Sequence, residues 1–441
     1  MLERNPALGI EDEKILQEKC SLVAIYTPIP TSQFDTAWNA AIGVQHRGLH
    51  GAGFAQETKK GFKTHTGKGH LNQVFSPTVV RKRRLQRATR WTLFHTRYGT
   101  SGNYDDKNIQ PCVATASDGS NVAVIHNGEF PGTDQLRRSL NRPQSRGASD
   151  TYLLTRLLAQ NKKGTWSDAL VETLKGVSGA YSLVVGCDKG LLVARDSHGI
   201  RPLVMGNLNN SWVIASETSA LSRIGVDTLR EISPGEIVRF GADGITTLQA
   251  SQGGPRASCV LEMAYFSRPD SKLPKFIDPD DGTHPERWIS YSLFRQRCGE
   301  ILADEAPIPG VSFIVGIPDS GIPVATGFAA RARVPYYRYI MRERYSPDGQ
   351  ERTFMRDDNR KKIKIIIGGK LVIITDPEIW EDKIVGFGED SIIRGDVAEK
   401  ITRAVFSLGA REVHWRVAFP PVTHTCHLGV SLRTLKELIA A

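Results

Sequence analysis

Val122-Ala123-Val124-Ile125-His126-Asn127-Gly128-Glu129 closes the stretch Asn108–Phe130, and this is where the chain reads most clearly. Four apolar residues, with a turn before them and Asn-Gly after, form a short buried strand. Asn-Gly at a strand end reads first as a tight turn, because both residues tolerate φ > 0. A second reading aims Asn127 and the Gly128 backbone N–H at one oxygen that gains negative charge, as an oxyanion hole. Asn108-Ile109-Gln110-Pro111 opens the stretch. The residues on either side decide between the two readings.

Upstream, Cys20 follows a polar leader and precedes the strand-like run Ser21–Tyr26. It reads as a small buried hydrophobe, or as a nucleophile freed at a new N-terminus by removal of residues 1–19. In the second case its own α-amine is the base. An amine near about pKa 8 suits a thiol near about 8.5, so one residue supplies both groups. Gln45-His46-Arg47-Gly48 and Gly51-Ala52-Gly53 form a Gly-rich turn after a helix-like run, Thr36–Gln45. His95-Thr96-Arg97-Tyr98 ends the run Thr92–His95, which makes Arg97 a candidate fork for a carboxylate or one side of a structural ion pair. Downstream, Ser149-Asp150-Thr151 fits a helix N-cap before the run Asp150–Ala159, and Asp150 equally suits an ammonium.

Composition sets the frame. With 441 residues the chain can fill two or three cores. The leader carries Glu11, Asp12, Glu13 and Glu18 and no apolar segment, so it does not read as a secretory signal. Six cysteines, at 20, 112, 187, 259, 298 and 426, form no close pair, which argues against a disulfide scaffold or a zinc knuckle and points to a reducing cytoplasm. No apolar run is long enough to span a bilayer, so no membrane partner is expected. The net charge of +10 includes Arg81-Lys82-Arg83-Arg84 and Arg360-Lys361-Lys362. That balance suits phosphate-bearing ligands. No aromatics interleave with the basic runs and no nucleic-acid motif appears, so nucleic acid is not expected as a partner.

Further short runs, Tyr181–Gly186, Leu191–Arg195, Trp212–Ala215 and Glu236–Phe240, give residues 20–250 the rhythm of an α+β domain with antiparallel sheets. Residues 251–256 read as a linker. After about 290 the rhythm changes. Val311–Ile317, Leu371–Thr375 and Val413–Phe419 are continuous apolar strands, with a helix-like run from Val324. That pattern suggests a parallel α/β sheet whose ligands lie beyond the carboxyl ends of its strands.

Cys20, the 45–48 motif, His95–Thr100, His126–Gly128 and Ser149–Thr151 together, in that order, resemble the class II glutamine amidotransferase domain, an N-terminal-nucleophile hydrolase. Ala194–Leu203 and Ala215-Ser216-Glu217 are similar to that family as well. The resemblance implies that Cys20 attacks the glutamine carboxamide and releases ammonia. It assigns the oxyanion hole to Asn127 and Gly128, the glutamine α-carboxylate to Arg97 and Thr100, and the α-amine to Asp150. The family has Cys-Gly where this chain has Cys20-Ser21.

Leu261–Ser271, Ile317-Pro318-Asp319-Ser320-Gly321, Arg344-Tyr345, Arg352-Thr353-Phe354, Ala418-Phe419-Pro420-Pro421 and Glu437–Ala440 extend the likeness to the glutamine phosphoribosylpyrophosphate (PRPP) amidotransferases over nearly the whole chain from Cys20. The resemblance implies an α+β N-terminal-nucleophile hydrolase sandwich (20–256, after a leader at 1–19). A parallel-sheet, phosphoribosyltransferase-like domain (257–441) follows it. PRPP would be held by Asp319, Ser320, Gly321, Arg394 and Gly395, and Mg²⁺ by Ser320 with an acid pair. The strand reads as ending at Asp376, with residues 377–389 inserted before Asp390. The acid pair is therefore Glu389-Asp390, or Asp376 with Asp390.

After Gly395 the family's two threonines are replaced by Asp396 and Val397. Threonine hydroxyls donate to a 5′-phosphate, whereas a carboxylate in a partly buried site repels it by several kcal/mol. The stretch between Phe354 and Lys370 is shorter than the family's closing loop. Cys259 and Cys426 match two iron–sulfur ligand positions, but the family's further cysteine pair has no counterpart, so no cluster is expected. Three functions stay open on these residues: synthesis of phosphoribosylamine from PRPP and glutamine in purine biosynthesis, delivery of ammonia to another anionic acceptor, and a catalytically dead regulatory relative. The likeness also implies a homo-oligomer.

Overall fold

The computed structural model describes residues 20–58, 61–84, 88–98, 106–141, 147–226, 229–250, 255–274, 288–342, 365–367, 371–430, 432 and 434–441. Thr100, Arg344-Tyr345 and Arg352–Phe354, the leader and most of the short closing loop lie outside them.

In chain order the first strands are β1 (Ser21–Thr31), β2 (Gly51–Thr58), β3 (Gly61–Lys68), β4 (Thr89–Arg97), β5 (Cys112–Thr115), β6 (Asn121–Glu129), β7 (Ala180–Cys187), β8 (Gly190–Arg195), β9 (Val204–Leu208), β10 (Ser211–Ala215), β11 (Leu229–Glu231), β12 (Ile237–Gly241) and β13 (Gly244–Gln249). They form two antiparallel sheets, ordered β11-β9-β10-β1-β4-β2-β3 and β13-β12-β8-β7-β6-β5. The helices of this half are α1 (Phe34–Gly43), α2 (Leu71–Val74), α3 (Pro77–Arg84), α4 (Thr133–Arg138), α5 (Asp150–Asn161), α6 (Trp166–Lys175) and α7 (Thr218–Ser222).

The two-residue period of a strand makes this a four-layer sandwich. Leu22, Ala24 and Tyr26 of β1 face Ala123 and Ile125 of β6 in the core between the sheets. Val23 and Ile25 turn the other way, onto Phe34, Ala37 and Ala41 of α1. Val122 and Val124 pack outward under Leu153, Leu157 and Leu170 of α5 and α6. Both faces of β6 are therefore covered, which is why its sequence reads as a continuous apolar run rather than an alternating one. The basic residues 81–84 sit on the last turn of α3, which buries no side chain.

The second half contains β14 (Lys272–Pro274), β15 (Trp288–Ser290), β16 (Phe313–Gly316), β17 (Tyr336–Tyr337), β18 (Ile340–Arg342), β19 (Ile365–Ile367), β20 (Leu371–Ile373), β21 (Ile384–Glu389) and β22 (Glu412–Val417). Its helices are α8 (Tyr291–Glu305), α9 (Gly321–Ala332), α10 (Pro377–Trp380) and α11 (Asp396–Ser407). The parallel sheet runs β17-β16-β21-β22. Ala303, Phe328 and Ala329 cover one face, and Ile401 and Val405 of α11 pack on the other.

Two expectations are corrected here. Residues 377–389 are not an insertion before the strand end. They form α10 and β21, and β21 is an inner strand of the parallel sheet, paired with β16 and β22. Leu371–Ile373 belongs instead to a small antiparallel sheet ordered β18-β20-β19. Gly386 and Gly388 disguise β21 in sequence, because glycine weakens a strand signal. They are needed because Ile314 and Ala325 press on them from β16 and α9. The apolar run Leu371–Thr375 gives the stronger strand signal, although its strand lies outside the parallel sheet.

A further apolar cluster joins the junction to the second half. Leu261 and Phe266 pack with Ile393, Val430, Leu432 and Leu438, and Cys259 and Cys426 lie against them. Residues 262–266 of that junction form a π-helical turn. Among the described residues no helix is long and apolar enough to cross a membrane.

Candidate active site

The described glutamine-half residues stand where β1 begins and β4 and β6 end. Ser21 pairs with Thr96 across β1 and β4, and their hydroxyls meet at 2.7 Å. This contact accommodates Ser21 directly after Cys20. It also places Cys20 beside the end of β4, where Arg97 is buried. The Cys20 Sγ–H points at the Tyr98 carbonyl, 3.9 Å away. Tyr98 stacks on His50 with ring centroids 4.0 Å apart. The opposite wall is fixed through His95. Burial pulls its imidazole down to about 3, so the ring is neutral, and Nε2 donates to the His126 carbonyl at 3.2 Å. That bond ties β4 to β6 one residue before Asn127.

Asn127-Gly128 is not a turn. Both residues lie inside β6, opposite Ser182 and Tyr181 of β7. Gly128 has φ +142°, and a Cβ on it would stand 1.9 Å from the Ala180 carbonyl oxygen, so the position requires glycine for close approach as well as conformation. The Asn127 side chain is completely buried, and neither its nitrogen nor its oxygen has a hydrogen-bond partner among the described residues. A buried amide left unpaired costs roughly 1–3 kcal/mol, so it marks a place where something else binds.

The opening motif of the stretch acts as a brace. The Gln110 amide donates to Thr151 Oγ1 at 3.0 Å, and its oxygen accepts from His126 N at 2.6 Å. Asn108 accepts from Ser149 N at 2.8 Å. These bonds dock the N-terminus of α5, capped by Ser149, against β6. Asp150 is thereby buried beside Phe130, whose N–H it accepts at 3.2 Å, and Thr151 N donates to its other oxygen at 2.7 Å. Each oxygen keeps accepting capacity for an ammonium.

In the second half, Pro318-Asp319-Ser320 follows β16 and Glu389-Asp390 ends β21, side by side at the carboxyl end of the parallel sheet. Ile317 N donates to the Gly388 carbonyl at 3.1 Å, and Ser320 Oγ donates to Asp390 Oδ2. Ser391 Oγ donates to the other Asp390 oxygen at 2.6 Å. Glu389 and Asp390 therefore stand together at this end of the sheet, while Asp376 stands at the start of α10. Burial raises both carboxyls above their ordinary range, Glu389 the more so because Asp390 is its neighbour. Asp319 pairs with Arg342 Nε at 2.7 Å. Gly395, at φ +85°, caps α11, and Asp396 opens it. Contrary to the partly buried position expected for it, Asp396 is exposed.

Raised pKa values predict a sign. A carboxyl that holds its proton more tightly folded than unfolded contributes no penalty below its unfolded pKa. The penalty grows as pH rises and is complete above the folded pKa. Glu389→Gln should therefore leave the thermal midpoint unchanged near pH 4 and raise it by a few degrees at pH 8 in metal-free buffer. An equal shift at both pH values would show that the pair is not a buried like-charge contact.

Several further buried residues lie close to the two sites. Burial pushes the Tyr265 hydroxyl up to about 12, and Asp390, Arg342, Glu389 and Tyr98 are all near enough to act on it. Arg295 donates to the Met263 and Ser267 carbonyls at 2.9 and 2.7 Å, while its buried Nη1 has no hydrogen-bond partner among the described residues. Arg47 and Glu217 form a buried ion pair behind Cys20. Burial alone would raise Glu217, but His46 and Arg47 hold it well below the usual carboxylate range. His46, Arg47, Glu217 and Tyr265 lie inside motifs quoted above and Arg295 in none, and nothing in their spacing says that they meet.

Comparison with known proteins agrees with this geometry. Residues 95–223 match a family model described as a glutamine amidotransferase domain. An amidophosphoribosyltransferase of Synechocystis sp. is 33% identical over 446 residues, 96% of this chain and 82% of that protein. The solved structure of the Bacillus subtilis glutamine PRPP amidotransferase, complexed with ADP and GMP, superposes with a TM-score of 0.80 at 29% identity, covering 96% of this chain and 86% of the other. A structure described as the allosteric regulatory enzyme of purine biosynthesis gives the same TM-score at 28% identity, over 96% and 85%. The chain belongs to the amidophosphoribosyltransferase family.

Proposed function

We propose that this chain hydrolyses glutamine at Cys20 and passes the ammonia to PRPP at Glu389-Asp390, forming 5-phosphoribosylamine for purine biosynthesis in the cytoplasm. The observation that carries the reading is the fully buried Asn127 amide beside Gly128, without a hydrogen-bond partner among the described residues. In this mechanism the Cys20 α-amine takes the thiol proton, and the thiolate attacks the glutamine carboxamide carbon. Asn127 and the Gly128 N–H receive the developing oxyanion. As the C–N bond breaks, the protonated amine hands its proton to the departing nitrogen, and water then cleaves the thioester to glutamate. Arg97 and Thr100 take the substrate carboxylate, and Asp150 its ammonium.

Tyr98 lies beside Cys20, and Tyr265 is near enough to Tyr98 and to Glu389 and Asp390 to feel all three, so ammonia released at Cys20 would pass these two rings. At the second site its nitrogen bonds to ribose C1 as the C1–O bond to pyrophosphate breaks. Asp319, Ser320, Gly321, Arg394 and Gly395 would surround the pyrophosphate and phosphate, with the two reactions separated near residues 251–256. Oxygen donors from Ser320, Glu389 and Asp390 fit a magnesium ion, which prefers carboxylates shared with substrate phosphates. Bound there, it would neutralise charge on the leaving pyrophosphate. The homo-oligomer implied by the family likeness belongs to the same proposal.

Asp396 favours a second reading, in which ammonia goes to an acceptor without a phosphate at this point. A helix N-terminus welcomes a phosphate, but this one already carries a carboxylate. Because Asp396 is exposed, water and salt screen it, and the penalty is smaller than a buried charge would impose. Asp396→Thr with Val397→Thr should tighten PRPP binding by roughly tenfold, about 1.4 kcal/mol. The test is glutamate release with increasing PRPP in both proteins. Stimulation by PRPP supports the first reading, and release indifferent to PRPP the second. No release in either protein would leave a regulatory relative. Equal PRPP dependence in wild type and double variant would remove the charge argument.

A further inference from the structure

A line of buried ion pairs runs from the nucleophile to the far half of the molecule. Arg47 donates from Nε to the Cys20 carbonyl at 3.3 Å and from Nη2 to the two Glu262 oxygens at 2.8 and 3.1 Å. Glu262 Oε1 also accepts from Arg201 Nη1 at 3.0 Å, and Arg201 Nη2 donates to the Leu428 carbonyl at 3.1 Å. Arg47, Glu262 and Arg201 are all buried. Arg201 Nε has no hydrogen-bond partner among the described residues, so the Glu262 carboxylate and the Leu428 carbonyl hold its fork. Glu217 takes the other end of Arg47 and is itself held by Ser271 Oγ at 2.6 Å.

Such a line is weak evidence for stability, because well-packed apolar residues would hold the same space at least as well. What it supplies is geometry. A carboxylate shared by two planar forks fixes each against the other. One fork sits on the backbone of the nucleophile, and the other sits on a segment some 400 residues away in sequence that packs with Ile393 of the second site. We infer that Glu262 is a positioning residue for glutamine hydrolysis. It ties the seating of residues 426–430 on Arg201 to the pose of Cys20 through Arg47. The inference rests on the glutaminase reading of Cys20.

Gly429 offers a remote handle. Its φ is +127°, and a Cβ there would lie 1.9 Å from Arg201 Nη2 and 2.9 Å from Cζ. Gly429→Ala therefore pushes the guanidinium off the Leu428 carbonyl while leaving every charged residue in place. Arg201→Met removes the same tie from the other side, and Arg201→Lys keeps a donor for Glu262. The experiment measures glutamate release per Cys20 thiol titrated by alkylation, so that loss of folded protein does not count.

In Gly429→Ala and Arg201→Met, kcat should fall about tenfold with KM for glutamine within about twofold, because a misplaced nucleophile slows chemistry while Arg97 and Asp150 still bind substrate. Arg201→Lys should recover part of the loss. A wild type that releases no glutamate defeats the glutaminase reading. An active wild type with both variants at full kcat per thiol overturns this inference and leaves that reading standing. If Arg201→Met does not fold, Gly429→Ala decides.

Discussion

Asn127→Ala should lower the kcat of glutamate release by about 10²–10³-fold while changing KM for glutamine far less. Removing one oxyanion donor has that effect when the donor meets charge that exists only in the transition state. Neither polar atom of this buried side chain has a partner among the described residues, so truncating it breaks no bond within them. The loss of activity should therefore come without a large loss of stability, and the variant's thermal midpoint should lie near that of wild type. PRPP binding should be unchanged, because Asn127 belongs to the other half. The outcome against the proposal is an Asn127→Ala protein that keeps more than about a tenth of wild-type kcat.

The second large effect concerns residues 1–19. If Cys20 works with its own α-amine, a protein that keeps the leader has an amide where the base should be. General-base catalysis typically contributes about 10²–10⁴-fold, so the uncleaved form should be slower by that order. Intact-mass spectrometry of the purified protein, paired with glutamate release from a form beginning at Cys20, makes the comparison. A mature protein that begins at Met1 or Leu2 and is fully active would require another base. His50, stacked on Tyr98, would be the first to examine.

Much of the glutamine half could be read from sequence because its signals are local. A polar leader before Cys20, a strand ending at Arg97 and a cap at Ser149 each announce themselves within a few residues. Asn-Gly was the ambiguous signal. The same pair serves a hairpin turn or an extended strand, and what decides for the strand is the Ala180 carbonyl pressed against Gly128, which only tertiary structure shows. The second half was harder because β21 carries two glycines and ends in Glu389, a composition that opposes strand propensity. Its place between β16 and β22 comes from packing. The Arg47–Glu262–Arg201 line could not be found by spacing, since its members lie 61 and more residues apart.

The cluster of Leu261, Phe266, Ile393, Val430 and Leu438 has a consequence for how the molecule comes apart. The connector, the loop at Ile393 and the segment around Leu438 share the same few apolar side chains, and Ile439 N is bonded to the Ile393 carbonyl. A protease nick in any of the three would loosen the other two. The knot makes the two workshops hard to separate with a knife, even where the division between them looks plain along the chain.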